Sequence, residues 1–169
     1  MIIVRPENAE DYDGIRQVNV KAFGQPAEAD LVEALRAHGK VTLSLVAADG
    51  DRVVGHILFS PATIEPETEN LSVTGLAPMA VLPEFQKQGI GSLLVRAGLE
   101  ECRKSNFDCV IVLGHPEYYP RFGFVPASKY QIKSEYDVRD EVFMIIELRE
   151  GALRGRKGTA LYQPEFNEV

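Results

Sequence analysis

Residues 71 to 113 limit the fold more than any other part of the chain. A strand-like run, a glycine-bearing turn, the strongest helical pattern of the sequence and a continuous apolar run follow one another there. Leu71 to Leu82 reads as a strand, although it contains Gly75 and Pro78. Proline lacks a ladder donor, so Pro78 predicts a bulge or a locally unpaired stretch. Ile90, Leu93, Leu94, Ala97 and Cys102 recur at helical spacing, which predicts a helix over Ile90 to Ser105. Cys109 to Leu113 has no polar residue and fits a strand buried on both faces.

Short elements of ordinary kind precede this segment. Ile2 to Arg5 is a predicted strand ended by Pro6. Asn8, with Asp11 three residues on, is a predicted N-cap for a helix carrying Tyr12, Ile15, Val18 and Ala22 on one face. Gly24 and Pro26 break that helix, and a second follows up to His38-Gly39. Thr42 to Ala48 and Arg52 to Phe59 are predicted as a hairpin turning at Asp49-Gly50. A polar, proline-bearing stretch from Pro61 to Asn70 is expected to separate the hairpin from the next strand. Beyond Leu113, a Gly-His-Pro turn, a brief helical segment around Glu117 to Phe122 and strands near 129–134 and 142–148 complete the pattern. The fold class is therefore α/β, a mixed sheet with a hairpin in its first half. Residues 1–150 are expected as the domain, and residues 151–169 as a tail packed on it or on a partner subunit.

Composition narrows the function classes. At 169 residues the chain suits one domain with a single core. Asp plus Glu number 25 against 18 Lys plus Arg, for a formal charge of −7. An acidic surface repels phosphate backbones and anionic lipid, so neither a nucleic-acid nor a membrane partner is expected. No run approaches the roughly 18 apolar residues of a membrane helix, and Arg5-Pro6 interrupts the start too early for a signal peptide. Two reduced thiols, Cys102 and Cys109, fit a cytoplasmic protein. His38, His56 and His115 have no ligand-like spacing to either cysteine, so no metal is expected.

The chemistry concentrates in Gln86-Lys87-Gln88-Gly89-Ile90-Gly91-Ser92, between a strand and a helix start. Glycines there let the backbone approach a ligand, and the free amides and dipole of the helix start suit phosphate oxygens. Lys87 adds a positive charge and Ser92 a hydroxyl. A Gly-x4-Gly-Lys-Ser/Thr phosphate loop is absent from the sequence. A Gly-x-Gly-x-x-Gly dinucleotide fingerprint fails because Leu94 stands in place of the third glycine.

The run from Leu76 to Gly91, Leu-Ala-Pro-Met-Ala-Val-Leu-Pro-Glu-Phe-Gln-Lys-Gln-Gly-Ile-Gly, resembles the acetyl-CoA signature of the GNAT superfamily of N-acetyltransferases. Tyr118-Tyr119-Pro120-Arg121-Phe122-Gly123-Phe124 resembles the same superfamily's later Tyr-x-x-x-Gly-Phe element. The wording from Gly114 to Phe124 and the Gly-rich, Tyr-containing tail are similar to a bacterial subgroup of that superfamily. The resemblance implies a mostly antiparallel sheet flanked by helices, with a splayed pair of parallel strands holding acetyl-CoA. It implies that the backbone of Met79, Ala80 and Val81 meets pantetheine. The diphosphate would lie on Gln86, Lys87, Gln88, Gly89, Ile90, Gly91 and Ser92. It also implies a direct transfer of acetyl to an amine, with Tyr119 rather than Tyr118 as general acid.

The general base stays open. The family's strand glutamate has no counterpart in Phe107-Asp108-Cys109-Val110-Ile111-Val112, and Asp108 reads as a turn residue. His115, Glu117 and Glu28 are the side-chain candidates, and a water chain would also serve. Glu28, Asp30 and Glu33 make an acidic patch suited to a cationic amine, and Glu65 to Glu69 is an acidic loop expected to be exposed. The acceptor is a small-molecule or peptide amine that nothing in the sequence names. An acyl-CoA-binding sensor without catalysis is the alternative, a longer acyl donor stays open, and a homodimer is compatible with the apolar tail residues Leu161, Tyr162 and Phe166.

Overall fold

The computed structural model describes residues 1–66 and 70–168. Its strands are β1 (Ile2–Pro6), β2 (Leu43–Asp49), β3 (Arg52–Pro66), β4 (Val73–Val81), β5 (Cys109–Leu113), β6 (Val125–Pro126), β7 (Ile132–Ser134), β8 (Phe143–Glu147) and β9 (Gly158–Leu161). Three α-helices accompany them: α1 (Tyr12–Phe23), α2 (Ala27–Ala37) and α3 (Ile90–Lys104). The strand order is β1-β2-β3-β4-β5-β8-β6, with β9 pairing both β3 and β7. β1/β2, β2/β3, β3/β9, β5/β8 and β6/β8 are antiparallel, whereas β4/β5 and β7/β9 are parallel. The chain forms two compact units. One comprises Met1–Ser60, Ala77–Gly98 and Pro164–Val169, and the other Pro61–Leu76 and Leu99–Gln163.

In the first unit Asn8, expected as the N-cap of the first helix, instead caps a 3-10 turn over Ala9–Asp11, forming a capping box with Asp11, and α1 follows from Tyr12. Asp11 also takes the Arg5 guanidinium in two bonds of 2.7 and 3.0 Å. α1 ends at Gly24 in the left-handed region. Ile15 and Val18 of α1 and Ala29, Val32 and Leu35 of α2 are buried, as are Val46 and Leu58 on the hairpin face that carries His56. A register shift at Ala47/Ala48 skips Val54, so Val53 and His56 both address α1 despite their odd and even positions. The other face of β3 takes α3. Cβ atoms on Gly55 and Gly98 would meet Leu94 and Phe59 at 3.1 and 2.5 Å, so these glycines let helix and strand touch.

His56 is fully buried in a polar chain. The Asn19 amide donates to the Ile15 carbonyl at 3.0 Å and faces His56 Nδ1 at 3.2 Å, so Nδ1 accepts and Nε2 carries the proton. Nε2 lies 2.9 Å from the Ser44 hydroxyl, which donates to Glu7, itself held by Arg36 in two bonds. Burial, with Arg36 adding to it and Glu7 opposing, brings the imidazole down to about 4. The C-terminal 3-10 turn Pro164–Glu168 docks on α2, with Glu165 taking His38 Nδ1 at 2.6 Å and Lys40 Nζ at 2.9 Å.

Two expectations need correction. β3 does not end at Phe59 but runs to Pro66, because Thr63–Pro66 pairs with β9 nearly a hundred residues away. Ala62 and Ile64 are buried there, so the predicted separator is largely strand; Glu67, Thr68 and Glu69 lie outside the described residues. The tail carries a strand of its own, β9, in addition to a loop. The Pro78 expectation agrees with the structure in its second form: β4 runs through a cis Ala77-Pro78 peptide, and its parallel pairing with β5 ends at Leu76↔Val112, two residues before Pro78.

Candidate active site

Two segments carry the predicted site residues. The first lies in the unit that holds the start of α3. β4 closes on Met79, half-buried, and Ala80 and Val81, buried. The Leu82 amide then donates to the Val54 carbonyl at 2.9 Å, and a 3-10 turn over Pro83–Phe85 follows. The Gln86 side chain donates to the Val81 carbonyl at 2.9 Å, which clips the loop to the strand end it leaves. Lys87 and Gly89 both have positive φ, 64° and 85°. Backbone turned in this way aims successive amides to one side, forming a concave anion site. A Cβ on Gly89 would meet nothing within 4 Å, so the glycine answers to φ and to an approaching ligand rather than to internal packing. Leu93 makes the first bond of α3, to the Gly89 carbonyl at 3.1 Å, and leaves the preceding amides at the positive end of the helix. Ile90 and Leu94 anchor the helix start in the core, while Lys87, Gln88 and Gly89 are exposed and Gly91 and Ser92 half-buried. The loop from Gln86 to Gly89 is thus exposed ahead of a helix start that is packed in the core.

The second segment lies in the other unit, after β5. Tyr118 and Tyr119 turn back on His115, their amides 3.1 and 3.4 Å from its carbonyl, and a 3-10 turn over Tyr119–Phe122 ends at Gly123 with φ 104°. Tyr119 is 7% exposed. Its ring meets those of Tyr118, Phe124 and Phe122 at centroid distances of 5.1, 5.6 and 6.4 Å. Gly114 makes room for it, because a Cβ there would lie 2.3 Å from Tyr119 Cε2. Burial, with Tyr118 adding to it, pushes the Tyr119 phenol well above the usual tyrosine range. Tyr119 is therefore a protonated donor at neutral pH, fixed by its neighbours. Tyr118 is half-exposed, with the Arg121 guanidinium 5.1 Å from its ring centre.

The remaining candidates divide clearly. His115 and Glu117 are exposed in the second unit. Glu28 is half-buried in the first, where both its oxygens take the Gln25 side-chain amide at 3.1 and 3.2 Å. Asp30 and Glu33 share the single positive charge of Arg16 at 3.0 and 3.1 Å, so the acidic patch is partly compensated. Asp108 is structural: it accepts the Ser72 amide at 2.8 Å and Arg149 Nε at 2.7 Å. Cys102 and Cys109 are free and buried, and burial pushes both thiols up to about 12, so neither is a nucleophile. Among the described residues no group of three or more His, Cys, Asp or Glu could hold a metal ion, and no helix is long and apolar enough to cross a membrane.

Tyr162 is a feature the sequence reading left among the apolar tail residues. It follows β9, is 8% exposed, and lies with its ring against Gly75 of β4. A glycine inside a strand is the one local signal for so close an approach.

A profile of the acetyltransferase (GNAT) domain matches residues 3–127. The chain is 34% identical to "Uncharacterized N-acetyltransferase YhbS" of Escherichia coli strain K12, over 98% of this chain and 99% of that protein. It is 44% identical over 120 residues to "Uncharacterized N-acetyltransferase YjhQ" of the same strain, 70% of this chain and 66% of that one. The crystal structure of E. coli YhbS in complex with CoA superposes with a TM-score of 0.93 at 34% identity, covering 98% of this chain and 92% of that one. A GNAT family acetyltransferase from Brucella melitensis in complex with acetyl-CoA gives 0.82 at 33% identity, over 98% of each chain.

Proposed function

The chain belongs to the GNAT family of acetyltransferases, and from that premise we propose that it moves the acetyl group of acetyl-CoA directly to a primary amine of a small molecule or peptide. The observation that carries this reading is the buried, protonated Tyr119 seated against Gly114. In the proposed reaction the amine nitrogen bonds to the thioester carbonyl carbon and the C–S bond breaks. Tyr119 gives its proton to the departing thiolate, and the amine sheds one proton. Burial keeps Tyr119 protonated and makes it a weaker acid than a free phenol, so the transfer draws on the negative charge that builds on sulfur as the C–S bond breaks.

Binding is assigned to the first segment. The amides of Gly89, Ile90, Gly91 and Ser92, with Lys87 and Gln88, hold the diphosphate, and Gln86 keeps the loop against Val81. The backbone of Met79, Ala80 and Val81 receives the pantetheine amides. For the amine proton, water is the simplest acceptor. His115 is an exposed alternative, while Glu28 would first have to release Gln25. CoA-bound relatives support the choice of cosubstrate.

Two measurements test the reading. Calorimetry with acetyl-CoA should show binding by the wild type and none by a Gly89→Glu, Gly91→Glu variant that folds normally. CoA release in the presence of a panel of primary amines should then fall by about 10²-fold or more in Tyr119→Phe. Absence of binding by the wild type overturns the function. Binding without turnover on any amine favours an acyl-CoA sensor.

A further inference from the structure

Protons and acceptors balance in the polar chain around His56, and the balance allows only a neutral ring. The members come from four segments of the first unit: Asn19 of α1, His56 of β3, Ser44 of β2 and Glu7 in the connection after β1. Asn19 and His56 are fully buried and Ser44 nearly so, so these groups must satisfy one another. Both ends of the chain are acceptors. One is the Ile15 carbonyl, 3.0 Å from the Asn19 amide nitrogen, and the other is the Glu7 carboxylate, which Arg36 holds in two bonds. Between them lie the contacts of Asn19 with His56 Nδ1 at 3.2 Å, of His56 Nε2 with Ser44 at 2.9 Å, and of Ser44 with Glu7. A neutral imidazole supplies one proton, the hydroxyl one and the amide two, which fills every contact once. Asn19 Oδ1 is left over, buried and without a hydrogen-bond partner among the described residues.

One more proton has no place in that arrangement. On Nδ1 it would face the amide N–H that now donates there, donor against donor. The acceptor at hand is Asn19 Oδ1, on the same amide, and the amide must turn over to present it. We propose that the chain is a proton-driven switch: when His56 Nδ1 takes a proton from solvent, the Asn19 amide turns over, Oδ1 accepts from the new Nδ1–H, and the bond to the Ile15 carbonyl is given up. The charged groups acting on the ring are Glu7, which favours the proton, and Arg36 of α2, which opposes it. The buried residues of α1, Ile15, Val18 and Asn19, carry no charge. β4, the other neighbour of β3, has no titratable side chain from Val73 to Val81. In the switched state Oδ1 holds the imidazolium on one side, and the Glu7 anion, through Ser44, stabilises it on the other. The core of this unit then takes up a proton by turning one side chain rather than by opening. The inference does not depend on acetyl transfer.

Nuclear magnetic resonance of the 15N-labelled wild type tests this. At neutral pH the His56 ring should be the Nε2–H tautomer, with a 15N–15N coupling across the hydrogen bond from Asn19 to Nδ1. The Nδ1–H tautomer there overturns the proposal. As pH falls through about 4, both ring nitrogens should become protonated and the coupling should vanish with the same midpoint. Through that step the backbone amides of α1 should keep their protection from hydrogen exchange. A coupling that survives on the doubly protonated ring overturns the turning of the amide. Loss of α1 protection at the same midpoint means that the proton enters only by opening, which overturns the switch. Asn19→Asp gives a second measurement, because its carboxylate presents an acceptor to Nδ1 whichever way it turns. In that variant the His56 midpoint should rise by about one pH unit or more. An unchanged midpoint in a folded variant overturns the proposal.

Discussion

Replacing Gly114 by alanine tests whether the position of the Tyr119 ring matters, without altering either tyrosine. The new Cβ would stand 2.3, 2.8 and 3.4 Å from Cε2, Cδ2 and Cζ of Tyr119. Carbon atoms rest at about 3.5 Å or more, so the ring must retreat by about 1.2 Å. Tyr118, Phe122 and Phe124 crowd its other sides, and the Gly114 amide is tied to the Val142 carbonyl at 2.9 Å. The clash therefore has no soft outlet. Overpacking of this kind costs about 1–3 kcal/mol, or about 2–12 °C in Tm for a chain of this size. A reacting group misplaced by about 1 Å loses about 10²-fold in rate. Thermal melts, acetyl-CoA calorimetry and CoA release read with a thiol reagent measure the three consequences. The protein's own thiols, buried and pushed up to about 12, add no signal while it is folded. The expected result is a lowered Tm, unchanged acetyl-CoA affinity and a kcat down by about two orders of magnitude. A kcat within twofold of wild type beside a lowered Tm would refute the idea that Tyr119 must be held in this place. Wild-type values for both would refute the packing argument itself.

Two further predictions concern stability and pH. His56 titrates at about 4 when folded against an ordinary 6.5, so the unfolded chain takes up its proton first as pH falls. The stabilisation is complete above about pH 6.5 and declines towards pH 4, by on the order of 3 kcal/mol. Urea unfolding at about pH 7 and about pH 4.5 should show this slope reduced in His56→Gln; an unchanged slope assigns it to other groups. For Asp108, burial alone would raise the carboxyl, but the Arg149 guanidinium and the Ser72 amide outweigh it and hold the group below the ordinary carboxylate range. Its contribution is present above the unfolded pKa of about 3.9 and lost as pH falls through the folded value. Asp108→Asn should cost about 1–3 kcal/mol at neutral pH, with the gap to wild type closing in acid; a gap independent of pH would contradict the ionic account.

The parts of this protein that sequence alone determined are those whose causes are local. Helical spacing from Ile90 to Cys102 marked α3 to within a residue of its observed end, and Asn8 with Asp11 marked its own cap. Cys109–Leu113 was legible as a buried strand because it lacks any polar residue. The Gln86–Ser92 loop was legible because two glycines at a helix start let the backbone approach a ligand there, and Gly89 does have positive φ. Tertiary structure decided whatever depends on a distant partner. Thr63–Pro66 is strand only because Gly158–Leu161 pairs with it, and its local composition of proline and glutamate argues against strand. His56 is a neutral core residue because burial lowers its proton affinity, while Asn19 of α1 and Ser44 of β2 satisfy its two ring nitrogens. Tyr119 was visible as a motif position, but its burial comes from Gly114 and the surrounding rings. Gly75 inside its strand was a local sign of some close approach, but that Tyr162, 87 residues later, makes it was decided by the fold. Backbone propensity and capping act over a turn or two, whereas burial and proton affinity are set by neighbours that only the folded sheet assembles.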